Sequence, residues 1–166
     1  MKKVIIIGCP GSGKSTLARA LADKLGLPLY HLDMLYWNAD RTTVERTVFD
    51  SRLKEAMSGD EWIIDGNYSR TMEWRILASD TVIFLDYPAD VCLDCVRSRI
   101  GVAHSDIPWV ETEEDPEFID FIKRFSTDER PRILDLLAKC GEEKRIVILK
   151  SRTEADGFIL SLGSEK

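Results

Sequence analysis

Apolar positions along this chain fall into five short, nearly unbroken runs, separated by longer stretches where they recur every three to four residues. The runs are Val4–Ile7, Leu29–Leu32, Trp62–Ile64, Val82–Leu85 and Ile146–Leu149. Continuous apolar runs of this length read as strands covered on both faces. The helical spacing occupies Lys14–Leu25, Val44–Met57, a short stretch near Arg70–Leu77, and Pro88–Ile100. Thr42 and Glu45 have capping-box spacing ahead of the second of these. Another helical pattern begins at Pro116, with Phe118, Ile122 and Phe125 at helical intervals, and resumes after Pro131 through Ala138; a last helix follows Thr153. No repeat, low-complexity linker or internal boundary interrupts the alternation. It predicts one α/β domain over residues 1–166, with a parallel sheet covered by helices on both faces.

Charge narrows the partners. The chain has 166 residues and a formal net charge of −6. A nonspecific grip on nucleic acid or an anionic membrane needs a basic surface, so neither partner is expected. The opening MKKVIII has a short apolar run that breaks into glycine, and no stretch reaches the roughly 18 apolar residues of a membrane helix. A cytoplasmic location is the expectation. Cys92 and Cys95 in CLDC have CxxC spacing, but zinc would need a second ligand pair and a redox pair would sit at a helix start. Here Val91, Cys92, Cys95 and Val96 share one face of a helix, which reads as thiols filling a core stripe.

The chemistry is concentrated between the first strand and the first helix. Gly8-x-x-x-x-Gly13-Lys14-Ser15 fits the P-loop pattern in its required strand–loop–helix setting. Glycines let successive backbone N–H groups turn inward as an anion nest, and the helix beginning near Lys14 adds its positive dipole end. Lys14 brings a full charge to the β- and γ-phosphates, and the Ser15 hydroxyl can ligate Mg²⁺. The nucleotide-binding set is therefore Gly8, Cys9, Pro10, Gly11, Ser12, Gly13, Lys14, Ser15 and Thr16, with ATP and Mg²⁺ as cofactors.

Holding a triphosphate is not yet a function. No NKxD motif supports a switch GTPase, and the length argues against ABC and AAA-type machines. A compact chain with an early P-loop resembles the nucleoside monophosphate kinases, and shikimate and gluconate kinases are built similarly. That resemblance implies a three-layer α/β/α P-loop fold with a five-stranded parallel sheet in the order 2-3-1-4-5. It also implies an acceptor-binding helical insert at about residues 34–60 and a lid at about 101–130.

Residue by residue, WIIDGNYSR stands where adenylate kinases carry an apolar strand ending in Asp-Gly followed by an arginine. Asp65 then resembles the carboxylate that holds Mg²⁺ through water, and Arg70 the arginine that grips the acceptor's phosphate, with Arg75 a weaker candidate. HLDMLYW places Asp33 where small-molecule kinases hold an acceptor-binding carboxylate, though Asp33 also suits a helix cap. Arg97 and Arg99 end a helix where a lid would begin and resemble catalytic arginines that reach the triphosphate. Arg152, after the last strand, resembles a base-binding residue, so the adenine is expected between Arg97 or Arg99 and the loop around Ser151. Lys123, Arg124, Arg130 and Arg132 lie where the chain returns from the lid. The lid itself, GVAHSDIPWVETEEDPE, has no lysine or arginine; Trp109 within it can stack on a base or anchor the lid to the core.

GCPGSGKSTLA, HLDMLYW, DGNYSRT, DTVIFLDYP, PRILDLL and VILKSR are similar to a bacterial family labelled DNA topology modulation proteins, itself related to adenylate kinase. The expected function is ATP- and Mg²⁺-dependent phosphoryl transfer to a nucleotide, nucleoside or other small acceptor, by a monomer or weak dimer. The alternative is a regulatory or DNA-associated ATPase with no small acceptor.

Overall fold

The computed structural model describes residues 1–140 and 143–163. Five strands, β1 (Lys3–Gly8), β2 (Leu29–His31), β3 (Trp62–Asp65), β4 (Thr81–Leu85) and β5 (Arg145–Leu149), form one sheet in the order β2-β3-β1-β4-β5. Every pairing is parallel. The strand order and the α/β/α layering are those implied by the resemblance. β3 and β4 are buried throughout, as is β1 beyond Lys3, and the β-branched run Val4–Ile7 meets side chains from both helical layers. The edge strand β5 is partly exposed.

Among the described residues eight helices surround the sheet: α1 (Lys14–Leu25), α2 (Leu32–Tyr36), α3 (Arg46–Ala56), α4 (Ser69–Ala78), α5 (Ala89–Ser98), α6 (Pro116–Asp128), α7 (Arg130–Ala138) and α8 (Arg152–Ser161). α1 buries Leu17, Ala18 and Leu21 and stops at Gly26, whose left-handed φ of 69° suits a residue without Cβ. α6 starts on an Asp-Pro-Glu signal: Asp115 accepts from the amides of Glu117 and Phe118 while Pro116 needs no partner for an N–H it lacks. Ser151 caps α8 by accepting from the Glu154 amide.

Two sequence expectations need correction. Leu32 leaves the second strand and begins α2, a five-residue helix that periodicity could not reveal. The capping box of Thr42 and Glu45 does not form. Thr42 is engaged instead with Asp40, through both its amide (3.0 Å) and its hydroxyl (2.6 Å), and α3 begins one turn later behind Glu45. Within the 101–130 stretch, residues 101–115 carry no helix or strand, and 116–128 form helix α6, which begins at Pro116 as its spacing predicts, buries Ile119, Ile122 and Phe125 and contacts α5. Among the described residues no helix is long and apolar enough to cross a membrane.

Candidate active site

Parallel order places the C-terminal ends of β1, β2 and β3 side by side, and ligands in open α/β sheets bind at those ends. The loop after β1 curls tightly there. Ser12 N–H donates to the Cys9 carbonyl at 3.1 Å, and Gly11 and Gly13 take φ values of 82° and 88°. Gly11 rests against α5: a Cβ built on it would stand 2.2 Å from the Cys92 carbonyl oxygen. Gly13 has no atom within 4 Å of such a Cβ, so its glycine serves the left-handed turn alone. Asn67 clamps the loop's entry, accepting from the Gly8 amide at 3.0 Å and donating to its carbonyl at 2.7 Å. The Cys9 thiol faces Cys92, and that hydrogen bond, with burial, keeps the Cys9 proton on. Cys92 fills the core as expected, but Cys95 lines the cavity.

The Lys14 ammonium donates to the Gly8 and Cys9 carbonyls at 3.0 Å each. Burial pushes it below its usual range, against the pull of Asp65 and Asp33. Above the loop opens a cavity of about 500 Å³ lined by Lys14, Ser15, Asp33, Asp65, Arg99 and Arg152, among others. Pro10, Gly11, Gly13 and Thr16 also line it, while Gly8, Cys9 and Ser12 lie beneath. The Ser12 hydroxyl is buried with no partner among the described residues, a spare donor at the loop.

Ser15 and Asp65 meet as the resemblance implies: the Ser15 hydroxyl donates to Asp65 Oδ2 at 2.7 Å. A hydroxyl and a carboxylate, both oxygen donors, at the mouth of an anion nest suit a hydrated Mg²⁺. The other Asp65 oxygen meets His31 Nδ1 at 2.6 Å. The β2–β3 register puts His31 directly opposite Asp65. Burial lowers the His31 pKa, but the Asp65 hydrogen bond and charge win and raise it.

Asp33 sits in the first turn of α2, facing the same cavity. Tyr68 donates its hydroxyl to Asp33 Oδ1 at 2.6 Å. Burial raises the Asp33 carboxyl above the ordinary range, with Tyr68 and Lys14 opposing. Tyr68 itself holds a left-handed φ of 43°, uncommon for a residue with a Cβ. The clamp for that conformation is Arg75, fully buried, which donates to the carbonyls of Gly66 (2.9 Å), Tyr68 (3.3 Å) and Asn67 and to the Thr71 hydroxyl (3.2 Å). Arg75 therefore holds backbone and faces no ligand.

Other expected arginines divide. Arg99 and Arg152 line the cavity, Arg152 with Nη2 3.5 Å from Cys95 Sγ. Arg97 turns outward to Glu114 at 2.7 Å. Arg70 pairs with Asp50 and lines a neighbouring cavity of about 510 Å³ with Arg46, separated from the first by Tyr68 and Ser69. Asp33 and Arg70 thus do not face one another across a single cleft. Arg124, Arg130 and Arg132 are paired with Asp120, Asp86 and Glu129.

Several cavity residues were not expected: His31, Tyr68, Arg19 and Asp106. Arg19 was visible as the residue one helical turn beyond Ser15, on the same face. Asp106, from the acidic 101–115 segment, is 5% exposed and meets Arg99 Nη2 at 3.1 Å and Arg19 Nη1 at 3.7 Å. Burial opposes its ionisation, but the Arg99 charge and hydrogen bond prevail and lower its pKa. The segment is pinned further along, where Trp109 packs edge-on against Trp37 at 5.0 Å and Arg41 donates to the Val110 carbonyl at 3.0 Å. Trp109 anchors the segment to the α2 side.

Comparisons with known proteins agree with this architecture. A curated shikimate kinase from Rhodococcus jostii (strain RHA1) is 31% identical over 98 residues, covering 51% of this chain and 58% of that protein. The match therefore spans less than two thirds of that relative's length. Among solved structures, a shikimate kinase from Bacteroides thetaiotaomicron superposes with a TM-score of 0.57 at 22% identity, over 96% of this chain and 94% of the other. A shikimate kinase from Acinetobacter baumannii in complex with shikimate reaches 0.64 at 15% identity, over 100% and 96%. These share the fold. Residues 3–89, from β1 through β4, match a family model described as an AAA domain. Length alone did not separate this chain from the AAA group, because what the group shares is the phosphate-binding half. By that half, which is more than half of its residues, the chain belongs to the AAA domain family of P-loop proteins.

Proposed function

We propose that this protein is an ATP- and Mg²⁺-dependent phosphotransferase, with a small hydroxylated molecule as acceptor. The observation that carries the reading is Asp33, whose carboxylate shares one cavity with the P-loop and is fixed by the Tyr68 hydroxyl at 2.6 Å. A purely regulatory ATPase has no use for an oriented carboxylate at that place. Lys14 and the loop amides would hold the β- and γ-phosphates, while Ser15 and, through water, Asp65 would hold Mg²⁺. Arg99 and Arg152 would flank the nucleotide, with the adenine toward Arg152. Arg97, turned to Glu114, is left outside the catalytic set.

In this scheme the acceptor hydroxyl hydrogen-bonds to Asp33, whose burial makes it a better base than an exposed aspartate. The hydroxyl oxygen forms the new bond to the γ-phosphorus as the bond to the β-phosphate bridging oxygen breaks, and its proton passes to Asp33. Arg70 is committed to Asp50, so an anionic group on the acceptor has no free guanidinium from that residue. A nucleoside or another polyhydroxylated small molecule is favoured over a monophosphate. The shikimate kinase relatives are consistent with a hydroxylated small-molecule acceptor.

The test is ATP consumption across a panel of nucleosides, monophosphates, sugars and hydroxy acids, in wild type and Asp33→Asn. Turnover that depends on an acceptor and falls at least tenfold in the variant, about 1.4 kcal/mol of transition-state stabilisation, is expected. Acceptor-independent hydrolysis that Asp33→Asn leaves unchanged overturns the proposal.

A further inference from the structure

We propose that Asp106 is a built-in occupant of the nucleotide cavity, an anion carried by the 101–115 segment that holds Arg19 and Arg99 until a triphosphate displaces it. The inference rests on the nucleotide-binding reading of the cavity but not on the identity of any acceptor. Its first support is position. Asp106 is 5% exposed, and its two carboxylate oxygens divide between the arginines, Oδ2 to Arg99 at 3.1 Å and Oδ1 to Arg19 at 3.7 Å. Arg19 also donates to the neighbouring Ser105 hydroxyl at 3.4 Å. Both arginines line the same cavity as Lys14 and Ser15, so the carboxylate occupies part of the cationic surface a polyphosphate would use.

The second support is how the segment is strung. At its base the Gly101 amide donates to the Glu111 carbonyl at 2.7 Å, drawing both sides of the segment together. Further along, Trp109 on Trp37 and Arg41 on the Val110 carbonyl fasten it to the far wall. Between these anchors the chain dips inward and delivers Asp106. Arg99 retains a buried Nε without a partner among the described residues, so its fork is only partly filled by Asp106 and can accept a second anion.

Like charges at close range in a partly buried cavity repel strongly. A triphosphate entering beside Asp106 must either tolerate that carboxylate or take its arginines. A buried anion stripped of both guanidinium partners is costly, so displacement should release the segment from the cavity. Nucleotide binding and opening of residues 101–115 are thereby coupled, and coupling energies between sites typically change affinity by about 5- to 150-fold.

The experiment is titration calorimetry of the full chain with Mg·ATP and separately with inorganic tripolyphosphate, in wild type, Asp106→Asn and Glu113→Gln. Glu113 is exposed in the same segment, so Glu113→Gln removes one negative charge without touching the cavity. Asp106→Asn should bind both probes at least fivefold more tightly than wild type, while Glu113→Gln stays within twofold. Hydrogen exchange across 101–115 should rise in wild type when ATP is added. If Asp106→Asn fails to fold, that exchange measurement on wild type decides alone, and increased protection would overturn the inference. Equal or weaker binding by folded Asp106→Asn would overturn it too, showing that the carboxylate orients the arginines for the ligand. A wild type that binds neither probe defeats the nucleotide reading itself, an outcome distinct from either.

Discussion

Replacing Arg75 with methionine tests how the acceptor wall is built. The guanidinium is fully buried and makes four hydrogen bonds, three of them to the consecutive carbonyls of Gly66, Asn67 and Tyr68. Burial pushes its pKa down to about 9, with Asp65 and Tyr68 pulling the other way, so it is still charged at neutral pH. Methionine preserves much of the volume but takes the donor from the Gly66 and Asn67 carbonyls, while the Tyr68 carbonyl keeps the Thr71 amide and hydroxyl at 3.0 and 3.2 Å. Each buried acceptor left unpaired costs about 1–3 kcal/mol, and the relief from no longer burying a cation offsets part of the sum. About 3 kcal/mol of net destabilisation is expected. With a urea m-value of about 2 kcal/mol/M for a domain of this size, the midpoint should fall by about 1.5 M. The 66–68 turn carries Tyr68 at its left-handed φ, and Tyr68 holds Asp33. Folded Arg75→Met should therefore lose acceptor turnover by a larger factor than ATP affinity, which this turn reaches only through the Asn67 clamp on Gly8. Equilibrium urea unfolding and parallel calorimetry read both. A midpoint shift below about 0.5 M, or ATP affinity falling in step with turnover, would refute the assignment of Arg75 to this turn.

Gly11→Ala should weaken ATP binding more than tenfold, because its Cβ would stand 2.2 Å from the Cys92 carbonyl, backbone that cannot turn aside, at a φ of 82°. Gly13→Ala meets no atom within 4 Å and should show only the left-handed strain of about 1–2 kcal/mol; equal effects on affinity and melting would contradict this division. Asp80→Asn should destabilise the fold by about 1–2 kcal/mol at pH 7, since its carboxylate accepts from the Lys2 and Lys3 amides at 2.7 and 2.9 Å and from Thr81 at 2.6 Å. Burial raises the Asp80 pKa but these bonds outweigh it and hold it below the unfolded value of 3.8. The stabilisation is complete above that value and lost as pH falls through the folded one, so the gap between variant and wild type should close in acid.

The strands were legible because a parallel sheet under two helical layers must be apolar on both faces, and the P-loop because an anion nest demands its glycines in order. His31 escaped notice because its partner Asp65 lies 34 residues away and the two meet only through the β2–β3 register. The Arg70–Asp50 pair was not legible in the sequence, for a local reason. Tyr68, two residues earlier, turns left-handed, and α4 then starts with Arg70 on the far side of the Tyr68 wall, beside Asp50. The acidic stretch after α5 reads as a repelling lid by its net charge. One of its carboxylates is nevertheless buried on arginines from α1 and the end of α5, a pairing that neither spacing nor composition encodes.

Trp37 and Trp109 give the molecule its own optical label. Two indoles at 5.0 Å and 82° are close enough for their excited states to couple, so the pair contributes a near-ultraviolet signal that separate indoles do not. One indole belongs to the loop leaving α2 and the other to the 101–115 segment, so the signal reports the distance between the acceptor wall and the strap over the cavity. The other two tryptophans, Trp62 in the core of the sheet and Trp74 on the outer part of α4, lie away from that seam and supply a constant background. Movement across the cavity can thus be followed in the unmodified chain, at the timescale of stopped flow, with no dye to disturb the charges that govern it.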